Sequence, residues 1–240
     1  MVTGDPKASA RSIVDWGAFR PERVEADVVA IVRATCLLES RSAMYGAYLQ
    51  RVLPERFGDD IAAWAEEEQH HGRALRRWLD LADPTFDFDD AYRRFSELPY
   101  HDGEVDPRRG GVSEELLSRC VVEAFASGYY YALADFTAEP LLRQLCARLM
   151  ADERRHFGMF ATMLSTTARL SHCKRARVIM TRAIELSDDQ VMFAAHCANP
   201  IGPYDRGAVR RLHLRRLFAM HRSRHLSYIA KLLGPSAILR

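Results

Sequence analysis

An all-α fold is what these 240 residues predict: a four-helix bundle with one long crossover connection and additional C-terminal helices. Three observations carry that expectation. Apolar residues recur every three or four positions almost throughout. No stretch alternates with period two between turn signals, as a half-buried strand would. One long connection rich in Asp, Pro and Gly, over 82–112 ("DPTFDFDD", "HDGEVDPRRGG"), separates two pairs of long helical segments. That is the layout of a bundle with a single crossover.

Taken in order, a flexible N-terminus over 1–20 precedes one domain over 21–240. Its core bundle covers about 22–170. The first helix is expected over 22–52, opened by Pro21 and closed near Pro54. A second runs over 59–81, with Asp59 and Asp60 placed to cap it. The connection has room for a short helix near 89–97. Ser113 is placed to cap a third helix over 114–137. Pro140 suits the first turn of a fourth, 139–168, where a missing N–H costs nothing. C-terminal helices follow over 172–196 and 206–233, separated by "NPIGPYDRG".

Composition narrows the function. Apolar residues are 48% and charged residues 28%, a globular balance. A net charge of +2 is not that of a nucleic-acid-binding polycation, so no nucleic-acid partner is expected. The apolar runs fall short of the roughly 18 residues that span a bilayer, so no transmembrane segment is expected. "MVTGDPKASARS" lacks the apolar core of a secretory signal. The five cysteines are odd in number, widely spaced and form no C-x-x-C pair. That points away from a disulfide framework and toward a reducing, cytoplasmic location.

The chemistry begins in "WAEEEQHHGRAL". Ile61, Trp64, Glu68, His71, Leu75, Trp78 and Leu79 make one continuous stripe at helical spacing. Glu68 and His71 therefore sit mid-stripe, while Glu67 and His70 lie on a more polar neighbouring face. A buried carboxylate costs several kcal/mol unless compensated. One Glu–His hydrogen bond in the core would be an ordinary compensation. The fourth helix repeats the pattern, however: Leu142, Cys146, Leu149, Glu153, His156, Phe160 and Met163. Glu39 and Glu123 are the lone acids of strongly apolar stretches on the other two helices. Such residues are most often solvated or salt-bridged. Here they complete a set: one Glu from each of two helices and Glu-x-x-His from each of the others. That set is the ligand pattern of a carboxylate-bridged dimetal site in a bundle. Four carboxylates match two divalent ions in charge, and oxygen with imidazole nitrogen suits iron, with manganese as the other choice. Glu67 and Asp152, one residue before Glu68 and Glu153, are either ordinary surface charges or acceptors for the free imidazole N–H across the bundle.

On these residues the chain resembles the ferritin-like di-iron carboxylate superfamily. "WAEEEQHHGRAL" and "LMADERRHFGMF" resemble the metal-bearing helices of soluble acyl-carrier-protein desaturases, where E-E-x-x-H-G and A-D-E-x-R-H recur. "VVEAFASGYYY" and the spacings of 29, 55 and 30 residues between Glu39, Glu68, Glu123 and Glu153 look like aldehyde-deformylating oxygenases. The likeness covers about residues 30–170. It implies a dioxygen-dependent di-iron oxidase or oxygenase that desaturates, hydroxylates or cleaves an organic substrate held in the bundle cavity. That substrate would be a fatty-acyl or carrier-bound chain, and two iron ions and an external electron donor such as ferredoxin are implied with it. Leu75 stands where ribonucleotide reductase small subunits carry their radical tyrosine, which argues against radical storage of that kind. Ser127, one turn after Glu123, is a candidate for placing a hydroxyl near dioxygen; the other reading is helix packing. Tyr129, Tyr130 and Tyr131 are read as packing residues.

After Asp205 the chain carries nine Lys or Arg and no Asp or Glu. A solvated helix face accounts for this. So does a docking surface for an acidic carrier protein or ferredoxin. A homodimer is left open. The alternative function is a ferritin-like iron-handling or redox-protective protein without an organic substrate.

Overall fold

The structure, a computed structural model, describes residues 14–98, 104–185 and 189–234, and every regular element among them is helical. The helices are α1 (Ala26–Ser40), α2 (Ser42–Val52), α3 (Gly58–Ala82), α4 (Phe88–Ser96), α5 (Val112–Phe136), α6 (Pro140–Ser165), α7 (His172–Glu185), α8 (Asp189–Ala198), α9 (Arg206–Met220) and α10 (Ser223–Leu232). No described helix is long and apolar enough to cross a membrane. The part of the flexible start that falls on 1–13 lies outside the described residues. From there on the chain is tied down: the Arg77 guanidinium lies 3.9 Å over the Trp16 ring, and Arg20 N–H donates to Glu139.

Two expected helices, the first and the last, differ in the structure. The first is interrupted at Arg41, whose side chain is buried and donates to the carbonyls of Phe95 and Leu98. The hydroxyl of Tyr92 takes the Ser40 carbonyl at 3.2 Å. Tyr92 thus takes the place of the Met44 N–H, which bonds the Arg41 carbonyl instead of that of Ser40. The segment 172–196 is formed by α7 and α8, which flank residues 186–188 outside the described set. The segment 206–233 turns at His221 and Arg222. There the fully buried His225 reaches Asp135 at 2.6 Å and accepts the Arg222 N–H at 2.9 Å, turning α10 onto α5. Ser113 also departs from expectation. Gly111 holds the cap position, and the Ser113 hydroxyl bonds Thr167 and the Ala168 carbonyl at the end of α6.

Cross-contacts set the helix directions. Cys36 meets Gly72, and Ser42 meets Ala65, so α1 and α2 run antiparallel to α3. Ser113 meets Ala168, and Ser127 meets Met150, so α5 and α6 are antiparallel. Glu67 meets His156, and Trp78 meets Glu139, so α3 and α6 are antiparallel. Helices α3 and α5 therefore share a direction, and the connection between them must carry the chain back along the length of α3, about 37 Å at 1.5 Å per residue.

Two apolar bands flank the middle of these helices. One gathers Leu49, Ile61, Trp64, Leu117, Phe157 and Phe160; the other Val32, Leu75, Trp78, Tyr130, Leu142 and Leu149. Full burial of such side chains is worth about 1.5–3 kcal/mol each. That is the surplus available to offset a polar layer between the bands. The buried carboxylate of Glu139, at the start of α6, shows how such a group is tolerated. It accepts from the N–H groups of Leu141, Leu142 and Arg20 and from the Trp78 indole at 2.8 Å. With four donors its desolvation is compensated.

Candidate metal centre

Between the two bands lie Glu68 and His71 from α3, Glu153 and His156 from α6, Glu123 from α5 and Glu39 from α1. Helical period explains the α3 and α6 pairs. Residues three apart share a face, and that face is the buried one: Glu68, His71, Glu153 and His156 are each 5% exposed or less, whereas His70 is exposed. Glu123 is buried, and Glu39 is half-buried at the edge of a cavity.

The six side chains form two overlapping groups. Glu39, Glu68, His71 and Glu153 each offer one donor atom, all within 4.8 Å of one another; Glu68, Glu123, Glu153 and His156 do the same. Glu68 and Glu153 belong to both. A buried cluster of this composition could hold a metal ion. Its unmet hydrogen-bonding capacity fits that use: Nδ1 of His71, Nδ1 of His156 and Oε1 of Glu153 are buried without hydrogen-bond partners. His71 Nδ1 faces Glu68 and Glu153 at 3.3 and 3.1 Å, and His156 Nδ1 faces Glu68 at 3.0 Å. Carboxylates and imidazoles converging on one buried volume are complementary to cations.

The outer imidazole nitrogens point the other way. His156 Nε2 lies 2.8 Å from Glu67 on α3, and His71 Nε2 lies 3.5 Å from Asp152 on α6. Arg155 joins both acids, at 2.5 Å from each. The His156 contact and Arg155 hold Glu67 down at about 2 against partial burial. Burial pushes Asp152 up, but His71 and Arg155 hold it well below the usual carboxylate range.

Electrostatics inside the cluster divides the four carboxyls. Burial, then the neighbouring Glu68 and Glu153, raises Glu39 well above its ordinary value. Burial likewise raises Glu123, against the opposing pull of Arg119. Burial also works against Glu68 and Glu153, yet the two imidazoles lower both. His71 and His156 are raised despite burial because carboxylates surround them, His156 to about 12. These directions favour protons on Glu39, Glu123 and the two imidazoles in the metal-free protein, which offsets the negative charge gathered in the cluster.

Ser127 does not join the site. Its hydroxyl donates to the Met150 carbonyl at 2.9 Å and pairs with the Tyr228 hydroxyl at 2.8 Å, and it does not line the cavity. The reason is rotational: the i+4 position drifts around α5 onto the side packed by α6 and α10. Two residues escaped the sequence reading. The Tyr130 hydroxyl donates to Glu39 at 2.5 Å, and Arg119 pairs with Glu123. Arg119 stands one turn before Glu123 and Tyr130 two turns after it, so helical spacing was the available signal.

No protein-family model matches this chain, and no curated protein matches it.

Proposed function

We propose that this chain is a dioxygen-dependent oxidase or oxygenase of the ferritin-like di-iron class, acting on an organic substrate. The observation that carries this reading is the pair of overlapping donor groups sharing Glu68 and Glu153. Two shared carboxylates with one imidazole on each side would suit two adjacent divalent ions, held by Glu39, Glu68, His71, Glu123, Glu153 and His156. The direction of α3, α5 and α6 and the long return between α3 and α5 support a ferritin-like bundle. The desaturase-like and oxygenase-like motifs support the reaction class.

When bound, two iron ions would supply activation of dioxygen, with electrons from an external donor. The chain's own residues prepare that chemistry. Glu67 and Asp152 would hold the outer N–H of His156 and His71, so that each Nδ1 points inward. Tyr130 donates to one oxygen of Glu39, and Arg119 to one oxygen of Glu123, which orients both carboxyls. A cavity of about 870 Å³ reaches Glu39, Glu68, Glu123 and Glu153, giving a substrate access to the cluster. Helix α9 exposes Arg211 and Arg215, suited to an acidic electron donor.

Titration with ferrous iron tests the proposal. Anaerobic protein should bind about two Fe(II) per chain, and Glu123→Ala should lose one ion or weaken both. Aerobic uptake should stop at that stoichiometry. Uptake continuing far beyond it would favour the iron-handling alternative, and no uptake would remove the reading altogether.

A further inference from the structure

The cavity beside the cluster has an unusual wall. Five arginines line it (Arg41, Arg108, Arg109, Arg119 and Arg182) together with five glutamates. Four of those glutamates belong to the cluster; the fifth, Glu115, accepts from the hydroxyls of Tyr45 and Tyr48. Two divalent ions would cancel the four cluster carboxylates. Beside them the lining carries Arg119, paired with Glu123, and four further arginines that have partners of their own.

Arg119 stands closest to the cluster. It is 6% exposed, and its guanidinium sits 4.8 Å from the Tyr45 ring centroid, 4.7 Å from Trp64 and 5.5 Å from Phe160. Those rings hold its plane in place. Of a guanidinium's N–H donors, only those at Nη2 have an acceptor, Glu123; Nε is buried with none. A buried cation left with unused donors is costly unless a ligand completes it. The rest of the cavity is apolar where Leu38, Val122, Phe125, Ala126 and Leu217 contribute.

We propose that the substrate is an organic acid with an alkyl or similarly apolar body and a free carboxylate, and that Arg119 holds that carboxylate beside Glu123. This rests on the di-iron reading above and sharpens it: the acid group enters toward the cluster, and the apolar body follows the aliphatic wall. A carboxylate is favoured over a phosphate. A carboxylate brings one charge and two oxygens to the donors that Glu123 leaves, whereas a phosphate brings a third oxygen and nearly a second charge that Arg119 alone does not match. Carbons next to the acid group are the ones placed nearest the cluster. A thioester-linked chain has no such group to offer.

Calorimetric titration of octanoate, octanol and octyl phosphate into the full chain, loaded anaerobically with Fe(II), tests this by binding alone. Octanoate should bind ten- to a hundredfold more tightly than octanol, the worth of a hydrogen-bonded charge pair. Arg119→Gln should remove that preference. If that variant does not fold, Arg119→Lys keeps the charge without the planar fork and should weaken octanoate about tenfold. Loaded protein that binds octanoate no better than octanol, or prefers octyl phosphate, overturns the inference. So does unchanged octanoate binding in the variants, because the acid would then be held elsewhere. Iron content of the same samples is measured separately: absence of uptake overturns the di-iron reading itself, whereas loaded protein indifferent to the acid group overturns only the inference.

Discussion

His156 on α6 and Glu67 on α3 meet at 2.8 Å, and His71 on α3 faces Asp152 on α6 at 3.5 Å. Each helix thus supplies an imidazole to the interior and sets an acid beside the imidazole of its neighbour, hydrogen-bonded for His156 and within ion-pair reach for His71. The exchange couples the register of α3 and α6 to the orientation of both rings.

Glu67→Gln should therefore weaken metal binding tenfold to a hundredfold, the usual effect of removing an outer acceptor from a ligating histidine. Glu67 is partly exposed, so the fold should tolerate the change within about 1 kcal/mol. Competition with a chelator of known affinity, alongside thermal unfolding, separates the two effects. Unaltered affinity would mean that the Glu67–His156 contact does not orient a ligand.

Metal uptake should expel protons. Glu39, Glu123, His71 and His156 all have raised proton affinity in the metal-free protein, and each must lose its proton to serve as a ligand. The bound state needs the deprotonated groups, so apparent affinity rises with pH and falls on acidification. Up to four protons per chain should appear, one from each of these residues, on addition of metal in weakly buffered solution. Uptake without proton release would contradict the charge balance drawn for the cluster.

Gly72→Ala weighs two opposed effects. Alanine inside a helix is favoured over glycine by about 1 kcal/mol. At this position, however, a Cβ would lie 2.7 Å from the Ser40 hydroxyl, 3.0 Å from its backbone nitrogen and 3.2 Å from its Cα. The hydroxyl can rotate away, but the backbone of α1 cannot. The overpacking cost, about 1–3 kcal/mol, should win and push α1 from α3 next to Glu39 and His71. A lower melting temperature together with weaker metal binding is expected; a stabilised variant would show that α1 yields easily.

Reversing Arg211 and Arg215 together to Glu should slow association with an acidic electron donor and flatten its salt dependence, because exposed charges act over roughly 8–10 Å and mainly on encounter. Iron loading should not change, since neither residue approaches the cluster. Stopped-flow reduction at low and high salt measures this. Equal rates for the two proteins at both ionic strengths would leave α9 as a solvated face.

The helical period was legible from the residues alone, and with it the buried faces carrying Glu68, His71, Glu153 and His156. Spacing of three or four along a helix depends only on backbone geometry. The 82–112 connection was legible for a similar local reason: Pro, Gly and Asp interrupt the backbone wherever they cluster. Tertiary structure decided the rest. The interruption at Arg41 comes from Tyr92, Phe95 and Leu98, more than fifty residues away. Ser127 turns to Met150 and Tyr228, which no pattern on α5 foretells. Arg119 and Tyr130 gained their places beside Glu123 and Glu39 when α1, α3, α5 and α6 closed around one layer. Periodicity tells which residues share a face of one helix; the rotation and axial offset between helices, set by packing of the two apolar bands, determine which atoms meet across it.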